Sequence, residues 1–166
     1  MPMIDVIFPE GSLDEAAKAQ LNATLWETAL RWEGIEVTEG AASVAWVFLD
    51  ERPKGHISVG GKPPGQNIYR LNVRVMVGFM DQERIDGMLT ELTKAVLAAD
   101  GKAGDGNPRV FCIVEEIPSG TWGIDGRVWT TVFAAKTLGL DERRVERMKA
   151  VVAERPRLDV KIPSKA

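Results

Sequence analysis

The amino terminus of the chain could itself supply a catalytic amine. The sequence begins Met1-Pro2, and removal of a methionine before proline would leave Pro2 with a free secondary amine. Such an amine is rigid and nucleophilic, and apolar burial or nearby arginines lower its pKa enough for it to act as a base near neutral pH. Many proteins also begin in this way, so the position alone does not assign Pro2 a role.

Three arginines could bind a carboxylate. Arg70 and Arg74 lie four residues apart in an alternating apolar and polar segment, so they share one face of a strand. A guanidinium binds a carboxylate through two parallel hydrogen bonds, which makes both residues candidate substrate anchors. An intersubunit salt bridge is the alternative for this pair. Arg127 follows a glycine motif in the second half of the chain and is a third candidate.

The other reactive side chains have ordinary structural interpretations. His56 and Cys112 are single, which disfavours a histidine metal site, a zinc cluster and a Ser-His-Asp triad, and excludes disulfides within the chain. We expect His56 to lie in a turn and Cys112 to pack in a strand. Asp125 is either a turn residue or a displaced acid, and Trp122 either packs in the core or lines a pocket. We expect no metal and no cofactor.

Composition places the chain among globular proteins. It has 166 residues, 45% of them hydrophobic and 27% charged, with a net charge of −3. This length suits one domain, and the acidic balance disfavours sequence-independent nucleic-acid binding. No apolar run reaches the roughly 18 residues of a membrane span, and the first residues lack the pattern of a signal peptide. We expect a cytoplasmic protein with no membrane partner.

Hydrophobic periodicity predicts two successive strand-helix-strand cycles and a final helix. The first cycle has a strand over 3–8, a helix over 13–32 capped by Ser12, and a buried strand over 44–49. The second has a half-polar strand over 69–77, a helix from Asp81 to about residue 99, and a buried strand over 110–114. A last helix runs from the Asp141 cap to about Glu154, and the tail beyond it is expected to be mobile.

The two cycles match each other at a shift of 65 residues. The shared pattern is Glu-x-Pro-x-Gly, five residues, Gly and then a base. It pairs Glu51 with Glu116, Pro53 with Pro118, Gly55 with Gly120, Gly61 with Gly126, and Lys62 with Arg127. The same shift aligns the strands, which indicates two tandem β-α-β units, at about 1–65 and 66–130.

This duplication predicts an α/β (α+β) fold. Each unit should pair its two strands in parallel, and both long helices should cover one face of a four-stranded sheet. We predict a single domain over 1–135, followed by a C-terminal helix and tail over 136–166. The other face carries Arg70, Asn72 and Arg74 among apolar residues, and a second subunit is its natural cover.

The motifs resemble those of the tautomerase superfamily. Met1-Pro2, the first strand, Glu-Gly, the helix and Gly55-His-x-x-x-Gly-Gly are similar to small 4-oxalocrotonate tautomerases. The doubled length, Glu116-Ile-Pro and Trp122-Gly-Ile-Asp-Gly resemble the cis-3-chloroacrylic acid dehalogenase group. The resemblance covers roughly residues 2–130. It implies a homotrimer, a small carboxylate substrate and the Pro2 amine as catalytic base. Asn67, the counterpart of Pro2 in the second unit, has no free amine, so we expect one working site per chain.

Several side chains of those families are replaced here. Ser12 stands where an arginine follows Glu-Gly, and Ala45 or Trp46 replaces a second-strand arginine. The remaining replacements are Ile57 for a phenylalanine, Ala29 for a helix histidine, Ile124 for a water-activating glutamate and Ile113 for a tyrosine. The prediction is therefore a tautomerase that moves a proton in a 2-oxo or enolic acid. The alternatives are a hydratase, dehalogenase or decarboxylase of a three-carbon unsaturated or semialdehyde acid, and a non-catalytic trimeric binding protein.

Overall fold

Two β-α-β units build one four-stranded sheet in the computed structural model, which describes residues 1–154. The first unit contains β1 (Met3–Pro9), α1 (Glu15–Trp32), a short helix α2 (Glu39–Ala42) and β2 (Trp46–Arg52). A 3₁₀ turn at Lys54–His56 leads to the second unit, which contains β3 (Tyr69–Met76), α3 (Gln82–Asp100) and β4 (Val110–Ile117). The prediction for the tail concerns residues outside the described part of the chain.

The sheet has the strand order β2-β1-β3-β4 and joins the two units along its centre. Within each unit the strands are parallel, and β1 pairs with β3 in the antiparallel sense, which confirms the tandem architecture. Val6 pairs directly with Leu71, and these residues are 65 positions apart, the shift that aligns the two halves of the sequence. A pseudo-two-fold axis therefore passes between them.

Both long helices pack on one face of the sheet, as predicted. Their apolar sides meet the inward residues of all four strands in one core, whose large side chains include Phe8, Leu21, Leu25, Tyr69, Met88 and Leu92. Asp81 caps α3 by accepting a hydrogen bond from the Arg84 amide at 2.9 Å. The predicted Ser12 cap of α1 is wrong, because the helix starts later and Asp14 accepts from the Ala17 amide at 2.8 Å.

The opposite sheet face is bare in the single chain. Trp46 and Phe48 of β2 and Phe111 and Ile113 of β4 are between 46% and 67% exposed. The expectation that both strands are buried is therefore wrong for the single chain. Along each of these two strands, side chains that face the helices alternate with side chains that face away from them. Nothing within residues 1–154 covers the second set.

The C-terminal region closes one end of the sheet. A hairpin of β5 (Trp122–Ile124) and β6 (Arg127–Trp129) precedes two helices, α4 (Thr131–Thr137) and α5 (Glu142–Glu154). The last helix begins after Asp141 as predicted, whereas the hairpin and α4 are additions to the predicted elements. None of the helices described over residues 1–154 is both long and apolar enough to cross a membrane.

Candidate functional site

Pro2 lies buried at the point where β1 begins. Its carbonyl accepts a hydrogen bond from the Trp46 amide at 3.2 Å, which joins it to the edge strand. Met1 is fully buried in an apolar cluster, here called the Met1 cluster, between α1, β3 and the C-terminal helices. Its large side chains are Leu30, Ile35, Met76, Phe79, Val145 and Met148. The amino end is therefore enclosed by apolar side chains.

The amino group of Met1 is held by a carboxylate. It forms an ion pair with Oε2 of Glu33, and both groups are fully buried. The other oxygen, Oε1, has no hydrogen-bond partner within residues 1–154. Consecutive backbone nitrogens lie at most about 3.6 Å apart, so the Pro2 nitrogen lies within about 6 Å of this carboxylate. Burial raises the pKa of Glu33 and lowers the pKa of the Met1 amine, while their mutual attraction opposes both shifts.

The end of α1 fixes the position of Glu33. Gly34 has a φ of 64°, and the Ile35 amide donates to the Leu30 carbonyl at 3.0 Å, the pattern of a Schellman cap. Arg144 from α5 donates to the carbonyl oxygens of Glu33 and of Gly34, the latter at 2.7 Å. A cation is favourable here because helix carbonyls leave partial negative charge at the C-terminus.

Arg70 and Arg74 of β3 both lie on the bare sheet face, as predicted, but they are opposite different ends of the neighbouring strand β1. Arg74 is paired with Met3 in the strand register, next to Pro2, and Arg70 is paired with Ile7. Four residues of strand separate the two α-carbons by about 13 Å. Both arginines line an open depression of about 540 Å³ on this face.

Arg74 already has two acidic partners. Its Nη1 lies 2.6 Å from Oδ2 of Asp5, and its Nε lies 3.5 Å from Oε2 of Glu115. The side chain is about one-third exposed, so a further anion can approach it from the depression.

The hairpin places the candidates of the second half at the surface. Asp125 has a φ of 49° and Gly126 a φ of 75°, which gives the two-residue turn typical of Asp-Gly hairpins. Asp125 and Arg127 are both exposed at this tip. Trp122 and Trp129 instead pack against the Met1 cluster. The structure therefore brings Trp122, but not Arg127, against the side chains around the amino end.

The second unit contains a matching carboxylate that sequence reasoning missed. Asp100 directly precedes Gly101, which has a φ of 62°, as Glu33 precedes Gly34. Its Oδ1 accepts from Asn67 at 2.6 Å and from the Tyr69 hydroxyl at 2.8 Å, and its Oδ2 pairs with Arg109. Burial would raise the pKa of Asp100, but these three donors outweigh it and lower the pKa. An acidic residue before the helix-ending glycine is visible in the sequence of both units.

The single histidine and the single cysteine of the sequence lie outside this site. His56 is exposed in the 3₁₀ turn, and Cys112 is partly buried in β4, where burial raises the pKa of its thiol to about 12. Within the described residues, no group of three or more His, Cys, Asp and Glu side chains could hold a metal ion. The enclosed amine, its carboxylate and the apolar lining are the features that could carry out proton transfer.

Solved structures share this architecture over nearly their whole length. A fused 4-OT that forms a symmetric trimer is 23% identical over 80% of this chain and 98% of its own, with a TM-score of 0.64. A member of the cis-3-chloroacrylic acid dehalogenase (cis-CaaD) family is 13% identical over 89% and 99%, with a TM-score of 0.67. A protein inactivated by 2-oxo-3-pentynoate is 22% identical over 75% and 93%, with a TM-score of 0.60. No family model and no curated protein matches the sequence.

Proposed function

We propose that this chain, which has the fold of the tautomerase superfamily, is an isomerase that moves a proton in a small 2-oxo or enolic carboxylic acid. The proposed base is the secondary amine of Pro2, freed by removal of Met1. The observation that carries the proposal is the burial of Pro2 directly after Met1, whose amine pairs with the Glu33 carboxylate and whose side chain packs in the Met1 cluster.

The proposed reaction needs one base and a way to hold the substrate. The neutral Pro2 amine removes a proton from the carbon next to the carbonyl or from the enol hydroxyl, and the electron pair moves through the conjugated system. The resulting ammonium returns the proton at another carbon, so the atoms and charges balance. Apolar burial supports this role because it lowers the pKa of the amine and leaves more of it neutral at pH 7.

The substrate carboxylate requires a cation. Arg74 is the first candidate among the three proposed anchors because it lies at the Pro2 end of β1 and faces an open depression. Arg70 pairs with Ile7 near the other end of β1, and Arg127 is exposed at the hairpin tip, so we propose both as anchors for a site that includes a neighbouring subunit. A guanidinium can hold a carboxylate in a bidentate geometry in either case.

We further propose a homotrimer that covers the bare sheet face. Four large apolar side chains are exposed there, at Trp46, Phe48, Phe111 and Ile113. A surface of this kind is typical of protein interfaces. The fused 4-OT with the same fold forms a trimer, which supports the same assembly here.

Covalent labelling tests the base directly. A protein of this fold is inactivated by 2-oxo-3-pentynoate, whose triple bond is conjugated to a ketone. We expect the Pro2 nitrogen of the Met1-free protein to add to the alkyne, with its N–H proton transferred to the neighbouring carbon. Peptide mass spectrometry should then show the mass of one reagent on Pro2, and turnover of phenylenolpyruvate or 2-hydroxymuconate should stop.

The protein that retains Met1 is the matched control. Its Pro2 nitrogen is an amide without a basic lone pair, so it should turn over the enol substrate at least a thousandfold more slowly while staying folded. Equal turnover by the two forms would refute the proline mechanism. It would favour the non-catalytic trimer if both rates equalled the uncatalysed rate.

Glu33 favours a second candidate function. Hydration of an unsaturated three-carbon acid, or its hydrolytic dehalogenation, needs a carboxylate that activates water, and Glu33 supplies one beside Pro2. A member of the cis-CaaD family shares the fold. Release of halide from 3-haloacrylates, together with little enol turnover, would favour this activity over proton transfer.

A further inference from the structure

We infer that Glu33 is a positioning residue for the catalytic base: once Met1 is removed, its carboxylate binds the Pro2 nitrogen and holds it in place. This inference rests on the proposed function, in which Pro2 is the base. The family resemblance does not contain it, because none of the matched motifs includes Glu33.

The buried contacts of Glu33 carry the first step. Its side chain is fully buried, Oε2 is paired with the Met1 amine, and Oε1 has no partner within the described chain. Removal of Met1 takes away the partner of Oε2 and creates a new amine one residue along. A buried carboxylate without partners is strongly unfavourable, and a protonated Pro2 nitrogen has two N–H groups that can donate to it.

The second unit provides an independent observation. Asp100 likewise stands immediately before the left-handed glycine that ends its long helix, and it follows Glu33 by 67 residues, two more than the shift that aligns the strands. It binds the Asn67 side chain at 2.6 Å, and Asn67 is the Pro2 counterpart at the shift of 65 residues. In the second unit the helix-end carboxylate therefore binds the counterpart of Pro2, whereas in the first unit the helix-end carboxylate binds the amine of Met1, one residue before Pro2. In the second unit Asn67, Tyr69 and Arg109 satisfy the Asp100 carboxylate. Within residues 1–154, one oxygen of the Glu33 carboxylate pairs with the amino terminus and the other has no hydrogen-bond partner.

The surroundings define what this carboxylate does for the base. The charged groups that face it are the amino terminus, from the start of β1, and Arg144 from α5, with Arg84 of α3 next to Arg144. For the amine of Met1, burial and Arg144 favour the neutral form and Glu33 favours the ammonium, and we expect the same balance for a Pro2 amine in this position. Glu33 thus stabilises Pro2 after it has accepted a proton and fixes the direction of its lone pair.

The test is the pH dependence of Pro2 reactivity in Met1-free Glu33→Gln. Loss of the negative charge removes stabilisation of the ammonium, so the midpoint of Pro2 labelling by 2-oxo-3-pentynoate should move to lower pH by roughly 1–3 units. The acidic limb of kcat/KM should move in the same direction. Glu36→Gln is the control, because Glu36 is an exposed carboxylate three residues further along, and it should leave both midpoints unchanged.

Two outcomes separate the inference from the proposed function. Labelling of Pro2 in the wild type with the same midpoint in Glu33→Gln would overturn the role of Glu33 and leave the proline base intact. Absence of Pro2 labelling in the wild type would overturn the proposed function itself. If Glu33→Gln does not fold, Glu33→Asp provides the test, because it keeps the negative charge on a side chain that is one methylene shorter. We expect labelling of Pro2 in this variant to be at least fivefold slower than in the wild type. An unchanged rate would refute the positioning role.

Discussion

Arg74, the first candidate for the substrate anchor, already pairs with two acidic side chains of its own sheet. Asp5 and Glu115 hold its guanidinium above the sheet, which reduces the freedom that a bound carboxylate would otherwise have to restrict. Those two acids also compete with the substrate for the same donors. Arg74 is therefore expected to discriminate in favour of ligands that form a bidentate pair.

We predict that Arg74→Ala lowers kcat/KM by about 10- to 100-fold, mainly through KM, because a charge-assisted hydrogen-bonded pair contributes roughly 1.5–3 kcal/mol. Steady-state kinetics on the processed protein measures this change. Arg70→Ala is the comparison, since Arg70 lies on the same face but at the far end of β1. If neither substitution changes kcat/KM and the assembly is intact, the anchor must be sought at Arg127.

The site residues differ in how far sequence reasoning could reach them. The sequence indicated Pro2 as a candidate only through the family resemblance, Arg70 and Arg74 through strand alternation, and Arg127 through the glycine motif before it. Glu33 was not identifiable, because its burial depends on α4 and α5, about 100 residues later in the chain. A glutamate before a glycine at the end of a helix is normally solvated, and only the tertiary packing turns it into a buried partner of the amino terminus.

At the scale of elements, hydrophobic periodicity identified the long helices but missed the short helices and strands. Helix α4 and each hairpin strand have at most seven residues, too few to establish a period. Turn chemistry could have found the hairpin, because Asp125-Gly126 lies between Trp122-Gly-Ile and Arg127-Val-Trp, two short segments that contain aromatic and β-branched residues. We expected the edge strands β2 and β4 to be buried because their sequences are almost continuously apolar. Such a sequence does not reveal which face of the strand packs on the helices and which face is left for another subunit.

The packing of α1 against α3 depends on one glycine. A Cβ atom added at Gly87 would lie only 2.1–2.4 Å from ring atoms of Trp32. Alanine in a helix is normally more stable than glycine by about 0.5–1 kcal/mol. Here overpacking, at about 1–3 kcal/mol, outweighs that gain. We therefore predict that Gly87→Ala lowers the free energy of unfolding by about 1–2 kcal/mol, measured by urea denaturation.

Gly40→Ala in α2 is the matched control. Its added Cβ would meet only the Thr38 hydroxyl, at 4.0 Å, so the helical preference for alanine should prevail and the stability should rise slightly or stay unchanged. A stabilising effect of both alanines would mean that α1 and α3 are not in such close contact.

At the scale of the whole molecule, the duplicated sheet has two unlike faces. The face toward the helices is a closed core, and the other carries exposed aromatic side chains beside a few charges. We predict a trimer of about 55 kDa, three times the 18.2 kDa chain, by sedimentation at micromolar concentration. A monomeric wild type would refute the proposed assembly.

Substitution on this face should dissociate the trimer. Phe48→Glu and Phe111→Glu each place a charge where an apolar side chain is now 46% or 67% exposed, and we expect monomers that keep their helical circular dichroism. Val128→Glu is the control, because Val128 is 64% exposed on the hairpin rather than on the sheet. Trimers in all three variants would place the interface elsewhere.

The burial of Met1 sets an order of events during synthesis. Met1, which the proposed mechanism requires to be cleaved, is made first, whereas the helices that enclose it, with Ala134, Ala135, Val145 and Met148, are made last. An aminopeptidase can reach Met1 while the chain is still emerging from the ribosome, but not after α4 and α5 have closed over it. If Pro2 is the base proposed above, cleavage of Met1 therefore has to precede the completion of folding, and we expect a chain that folds first to keep its methionine and its blocked proline.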